Sequence, residues 1–317
     1  MIKQPRWQQC HAQVASIGLE TRPPPEEPFT SERPYLRWIH THPGTPGLPI
    51  RCVEIWSRSK GTVLSQRWPS KLWIVRHGES AGNVARDAAH AAGLPDIDIQ
   101  ARDVDVPLSS LGERQSAALG RWFASMPPAA RPEIVMSSPY LRAQSTAVAI
   151  LKSSGLAPGC SNIVVDERLR EKEFGILDRL TRLGIEQRYP EQATSRRLLG
   201  KFYFRPPAGE SWCDVILRLR SVLDTISLHY EGKRVLIVAH QVVVLCMRYL
   251  LENMEEHTIL AIDAEGDVAN CAVTEYSLGR VKEDADSLVL ERYNFVAPLE
   301  QEGTPVTSSP DAKIATR

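Results

Sequence analysis

Apolar residues along this chain fall into short continuous runs separated by stripes of helical period. Leu72-Trp73-Ile74-Val75 is the first sharp run, and its length and flanks predict a buried strand. Ile134-Val135-Met136 and Ile163-Val164-Val165 predict two more, and Val235 to Ala239 is the strongest of the set. Between them the period changes from continuous to 3.6. Pro107-Leu108-Ser109-Ser110 opens a helix in which Ser110 and Glu113 fit a capping box, with Leu111, Ala118, Leu119, Trp122 and Phe123 on one side. A second helix runs from Tyr140 to Leu151. Ser211 and Asp214 form another capping box, ahead of a stripe of Trp212, Val215, Ile216, Leu219, Val222, Leu223 and Ile226. A helix with Val243, Val244, Met247, Leu250 and Leu251 follows His240. Two late strands are expected around 269–276 and 288–293. Apolar strands joined by helices rather than hairpin turns predict a three-layer α/β fold, a mainly parallel sheet with helices on both faces.

The ends of the chain read differently. Residues 1–70 hold Pro23-Pro24-Pro25, Pro28, Pro34, Pro43, Pro46 and Pro49. Proline fixes φ and removes a donor, so this stretch is expected to be an irregular, partly disordered extension. The folded domain is expected over 71–300. A polar run of Thr, Ser and Pro follows, read as a disordered tail over 301–317.

Composition narrows the function classes. Apolar residues make up 43% and charged residues 24%, the balance of a soluble globular protein. Lys and Arg number 38, Asp and Glu also 38, so bulk charge points to neither a nucleic-acid nor a membrane partner. No apolar run has the roughly 18 residues that a membrane helix needs. The six cysteines are scattered, without Cys-x-x-Cys pairs or metal-ligand spacing to histidines. They read as isolated thiols in a reducing, cytoplasmic setting. No metal site and no cofactor are expected.

The chemistry gathers at strand ends, where an α/β sheet places function. Arg76-His77 follows the first strand, Ser138 and Arg142 follow the second, and His240 follows the strongest. If those strands are neighbours, two histidines and two arginines converge. Arginine offers a planar donor fork that suits phosphate oxygens. Clustered cations need an anion, and a neutral imidazole can attack phosphorus. The other histidines, at 11, 40, 42, 90, 229 and 257, read as structural or surface residues.

Five ordered segments then carry a resemblance. Arg76-His77-Gly78-Glu79-Ser80 with Asn83, the run from Asp105 to Gly112 with Gln115, Ser137-Ser138-Pro139 with Arg142, the run from Leu169 to Gly175 with Glu171, and Gly209-Glu210-Ser211 with Arg218 resemble the histidine phosphatase superfamily, the phosphoglycerate mutase-like fold. Tyr189-Pro190-Glu191, the run from Lys201 to Pro207, and Ala239-His240-Gln241 are similar to the fructose-2,6-bisphosphatase branch and to small mutase-like phosphatases. The stretch between acid and second histidine is shorter than in the mutases, which favours phosphatase over mutase. The resemblance implies roles. His77 is the nucleophile. Arg76, Arg142 and His240 hold the phosphoryl oxygens. Glu171 is the proton donor, with Glu173 as the competing acid. Asn83, Ser138, Arg205 and Gln241 bind substrate, and Glu210 supports the arginine pocket. It implies a metal-independent phosphatase for a phosphorylated small molecule, with sugar phosphates suggested by the bisphosphatase branch. A mutase, or an inactive member that binds phosphorylated ligands, are the alternatives. Oligomeric state stays open.

Overall fold

The computed structural model describes residues 67–155, 163–282 and 285–308. The Pro-rich stretch 1–66 and residues 309–317 lie outside the described residues. The described fold reaches back past the expected boundary at 71. The Arg67 N–H donates to Ser227 Oγ at 3.2 Å, Trp68 O accepts from Gly232, and the Trp68 side chain joins the core.

A six-stranded mixed sheet organises the domain. Its strands are β1 (Lys71–Arg76), β2 (Ile134–Ser137), β3 (Val164–Val165), β4 (Arg234–Ala239), β5 (Val273–Lys282) and β6 (Ala285–Phe295), in the spatial order β3-β2-β4-β1-β5-β6. The first four in that order are parallel, and β5 and β6 form an antiparallel edge. β4 lies between β1 and β2, so the three strand ends that carry the candidate chemistry are adjacent.

Alternation along the strands divides the core into two layers. Leu72, Ile74, Val235 and Ile237 face one way, packing on α6 (Trp212–His229) and α7 (Gln241–Leu251). Trp73, Val75, Leu236 and Val238 face the other, packing on α2 (Ser110–Ser125) and α3 (Leu141–Ser154). Both faces are therefore covered, which is why β1 and β4 are apolar at every turn of the pleat. Each fully buried side chain of this size stabilises by about 1.5–3 kcal/mol. A third cluster, Leu177, Leu180, Ile185, Ala193 and Phe204, holds α4 (Arg182–Arg188) and α5 (Pro190–Tyr203). The remaining helices are α1 (Ala81–Ala91), α8 (Glu256–Glu265) and α9 (Ala297–Gln301).

Three expectations need correction. The α2 cap is Ser109, whose hydroxyl accepts from Gly112 N, rather than Ser110 with Glu113. Tertiary contacts decide this. Ser109 N–H donates to Glu79 O, and Gly112 lies so close to that loop that a Cβ would sit 1.9 Å from Glu79 O. Of the late strands, β5 starts and ends later than the expected 269–276, and β6 extends past the expected 288–293 at both ends. Residues 269–272 form a turn, with Cys271 at φ 56° and its N–H on Arg76 O at 3.0 Å. The tail expected from 301 is held over its first part. Thr307 O accepts from Asn270 N at 2.8 Å, and Gln115 Nε2 donates to Pro305 O and Thr307 Oγ1. A polar run needs no apolar face when side-chain amides satisfy its backbone.

Candidate active site

His77 lies just past the end of β1 and is 3% exposed. Its backbone is fixed from several sides. The N–H donates to Ala239 O at 2.9 Å, and the carbonyl accepts from Asn270 Nδ2 at 3.0 Å. The Gly78 N–H donates to Thr146 Oγ1, and a Cβ at Gly78 would sit 2.5 Å from Gly112 O. Only glycine allows α2 to pass this near. His77 Nδ1 is 2.7 Å from Gly78 O. A carbonyl only accepts, so Nδ1 carries the proton and Nε2 keeps its lone pair. Nε2 receives the Nε–H of Arg142 at 3.2 Å.

Arg142 comes from the first turn of α3 and is 5% exposed. Its Nη1 donates to Asp103 O at 2.6 Å and Asp103 Oδ1 at 2.9 Å, and Nη2 to Oδ2 at 3.3 Å. The guanidinium carbon lies 4.8 Å from the Tyr140 ring centroid. A carboxylate thus occupies the donor fork in the resting site. Arg76 Nη1 donates to Val268 O.

His240 follows β4 and is fully buried. Its Nε2 is 2.7 Å from Ser138 Oγ, and that hydroxyl already accepts from Tyr140 N at 3.2 Å. Ser138 Oγ keeps both its proton and a second lone pair for His240 Nε2, so this contact is compatible with either tautomer of the imidazole. Nδ1 has no hydrogen-bond partner among the described residues and lies 3.9 Å from Glu171 Oε2. The rings of His77 and His240 are 5.1 Å apart. The other candidate acid, Glu173, accepts from Tyr140 Oη at 2.9 Å. Glu210 accepts from Arg170 at 2.7 Å, from Arg218 at 3.0 Å and from the Glu173 N–H at 3.1 Å, so it braces the segment that carries both acids.

A cavity of about 70 Å³ opens onto this cluster, lined by Arg76, His77, Asn83, Arg86, Asp103, Arg142, Glu171 and Gln241 among others. Burial, then the charges of Arg142 and Arg76, holds the His77 imidazole well below its usual pKa. Burial, then Arg142 and His77, does the same to His240. Both rings stay neutral in the fold. In the unfolded chain they take up protons near pH 6.5. Above that pH neither state binds these protons. Below it only the unfolded state does, so stability falls as pH falls, by about 1.4 kcal/mol per pH unit for each histidine. Urea unfolding at pH 7.5, 6.5 and 5.5 is expected to show this loss. A stability independent of pH over that range would contradict the assignment of two buried neutral imidazoles.

A family model for the histidine phosphatase superfamily (branch 1) matches residues 72–291. The chain belongs to this superfamily. A bifunctional protein of Mycobacterium tuberculosis is 33% identical over 185 residues, covering 58% of this chain and 43% of that protein. The match thus spans less than half the length of that relative. A probable phosphoglycerate mutase of Yersinia enterocolitica is 30% identical over 189 residues, covering 59% of this chain and 77% of the relative. Among solved structures, a mycobacterial glucosyl-3-phosphoglycerate phosphatase complexed with VO3 is 25% identical, with a TM-score of 0.54, covering 72% of this chain and all of that one. An α-ribazole phosphatase from Shigella flexneri, at 20% identity and a TM-score of 0.54, covering 71% of this chain and 97% of its own, shares the fold.

Within the superfamily domain, Arg76, His77, Arg142, Glu171 and His240 come together at one end of the sheet. Asn83 and Gln241 line the same cavity. Asn83 also closes the α1 capping box with Ser80, and Gln241 Nε2 donates to Asp267 Oδ1 at 2.7 Å. Two expected substrate contacts fall elsewhere. Ser138 is wholly buried and serves His240 and Tyr140. Arg205 has an exposed side chain bound to Asp214, which closes the α6 capping box, and does not line the cavity. Glu210 pairs with Arg170 and Arg218 rather than with Arg76 or Arg142. Sequence reasoning missed Asp103, Tyr140 and Arg86. Arg86 is half-buried, lines the cavity and adds to the charges acting on His77. Its place in α1, three residues after Asn83, was the signal available.

Among the described residues, no helix is long and apolar enough to cross a membrane. No group of three or more His, Cys, Asp or Glu is arranged to hold a metal ion among them either.

Proposed function

We propose that this chain is a phosphomonoesterase that works through a phosphohistidine at His77. One observation carries the reading. His77 Nδ1 is tied to Gly78 O, so Nε2 keeps its lone pair, engaged by Arg142 Nε at rest, and the ring lines the cavity together with Arg76, Arg142 and Glu171. A phosphoryl group there meets a nucleophile on one side and donors around its equator.

The steps balance as follows. Nε2 attacks phosphorus while the bond to the leaving oxygen breaks, and the Glu171 carboxylic acid gives that oxygen a proton. The Glu171 carboxylate then takes a proton from water, whose oxygen attacks phosphorus and releases His77 and orthophosphate. Arg142, Arg76 and His240 stabilise the charge that builds on the three equatorial oxygens. The substrate is a phosphorylated small molecule, and sugar phosphates are the first class to test. The unpaired thiols of Cys213, Cys246 and Cys271 fit a cytoplasmic setting.

The test uses p-nitrophenyl phosphate, a sugar phosphate panel and 3-phosphoglycerate, each with and without EDTA. Hydrolysis that persists in EDTA supports the reading. Isomerisation of phosphoglycerate faster than hydrolysis replaces it with a mutase. No turnover of any ester removes both and leaves a binding protein.

Asp103 gives a second measurement. An entering phosphoryl group must displace its carboxylate from Arg142. Charge-assisted hydrogen bonds of this kind are worth about 1.5–3 kcal/mol. Asp103→Asn is expected to bind orthophosphate roughly 10-fold more tightly by calorimetry, the equivalent of about 1.4 kcal/mol. Weaker binding would mean that the carboxylate stays on Arg142 in the loaded site.

A further inference from the structure

Tyr140 joins β2 to α3, and its ring is buried. The Arg142 guanidinium carbon lies over one face of it, 4.8 Å from the centroid. The His240 imidazole meets it edge-on, with centroids 5.1 Å apart and planes at 70°. Its hydroxyl donates to Glu173 Oε1 at 2.9 Å, and its N–H donates to Ser138 Oγ, the hydroxyl that also contacts His240.

These contacts differ in how long they can last. The proposed reaction changes the in-plane partners of Arg142. Nε donates to the lone pair that becomes the nitrogen–phosphorus bond. Nη1 and Nη2 donate to Asp103, where phosphoryl oxygens must come to lie. A planar guanidinium held only in its plane is free to tilt once those partners leave. The contact with the face of the Tyr140 ring uses none of those N–H groups and requires no exchange. His240 has a parallel problem. Its Nδ1 has no hydrogen-bond partner among the described residues, so the ring is held by Ser138 at one nitrogen and by aromatic packing. The hydroxyl also engages Glu173, which leaves Glu171 beside His240. Burial, then Glu173 and Asp103, pushes the phenol pKa upward, so Tyr140 remains a neutral donor.

We propose that Tyr140 is a positioning residue of the phosphoryl site, its ring supporting the guanidinium of Arg142 and the ring of His240 while Arg142 exchanges its hydrogen-bond partners. The proposal rests on the phosphatase reading. Neither the hydroxyl nor direct contact with substrate is the main device; the ring is.

Tyr140→Met removes the ring and keeps volume, and Tyr140→Phe restores the ring without the hydroxyl. Steady-state kinetics on p-nitrophenyl phosphate and calorimetry with orthophosphate are measured on both. A misplacement near 1 Å costs on the order of 10²-fold in rate. The Met variant is therefore expected to lose roughly 10²-fold in kcat with a much smaller change in KM, and to bind orthophosphate about 10-fold more weakly. The Phe variant stays within the same order of magnitude as wild type in all three quantities. A Met variant equal to wild type overturns the proposal, and so does a Phe variant as impaired as the Met one. If the Met variant does not fold, Tyr140→Leu takes its place, and a Phe variant that folds but loses orthophosphate binding remains overturning. Should wild type bind orthophosphate yet hydrolyse no ester, the phosphatase reading fails. The Met-to-Phe contrast in affinity then still decides the role of Tyr140. Absence of orthophosphate binding by wild type overturns both.

Discussion

His77→Ala is expected to lose at least about 10⁴-fold in kcat, because removing a nucleophile of this kind removes the covalent route entirely. The cavity survives the change. Arg142, Arg76 and His240 are held by Asp103, Val268 and Ser138, none of which depends on the His77 ring. Orthophosphate should therefore still bind, which separates a lost nucleophile from a collapsed site. The wild-type protein, quenched during turnover, should carry a phosphoryl group that is labile to acid and stable to alkali, as a phosphoramidate is. Intact-mass measurement would find it on wild type and not on the variant. A His77→Ala protein within about 10-fold of wild type would reject the covalent scheme and leave direct attack by water.

The second large effect belongs to Glu171. Its Oε2 is 3.9 Å from His240 Nδ1, and it lines the cavity. General acid–base catalysis by one group is worth about 10²–10⁴-fold. Glu171→Gln cannot give or take a proton. Loss in the first step should depend on the leaving group. Alkyl phosphates, whose alkoxides need a proton, should lose most of that factor. p-Nitrophenyl phosphate, with a stable anionic leaving group, should phosphorylate His77 nearly normally. Breakdown of the phosphohistidine still needs a base, so p-nitrophenol should appear as a burst equal to the enzyme concentration, followed by slow turnover. Glu173→Gln is the comparison, since its carboxylate is engaged by Tyr140. A burst in the Glu173 variant and none in the Glu171 variant would reverse the assignment.

The parts of this site legible in the sequence were those fixed by local pattern. Each of His77, Arg142 and His240 follows an apolar run, and a run of four to six buried residues has one plausible direction and one end. What alternation cannot supply is adjacency. The insertion of β4 between β1 and β2 is a tertiary fact, and it alone turns three strand ends into one cluster. Asp103 was invisible for the same reason. It lies in a short polar turn without period, 39 residues from the arginine it pairs with. Arg205 misled in the opposite direction. An arginine near Gly209-Glu210-Ser211 reads as a ligand contact, yet Asp214, which closes the α6 capping box nine residues away, takes it. Ser138 was placed at the correct strand end, but its hydroxyl is consumed by His240 and the Tyr140 N–H. Proximity to a motif does not reveal which donors are already committed.

The strand order also bears on when the site can come into being. β1 and β2 are made early, but neither pairs with the other; β4 comes to lie between them. A ribosome that has released only residues up to 233 holds a chain with His77 and Arg142 already present but without the strand that lies between β1 and β2. Sequential synthesis thus adds His240 last of the five clustered residues, together with that strand. Pairing across such sequence separation is entropically costly, so the sheet that seats the cluster is completed late in the chain.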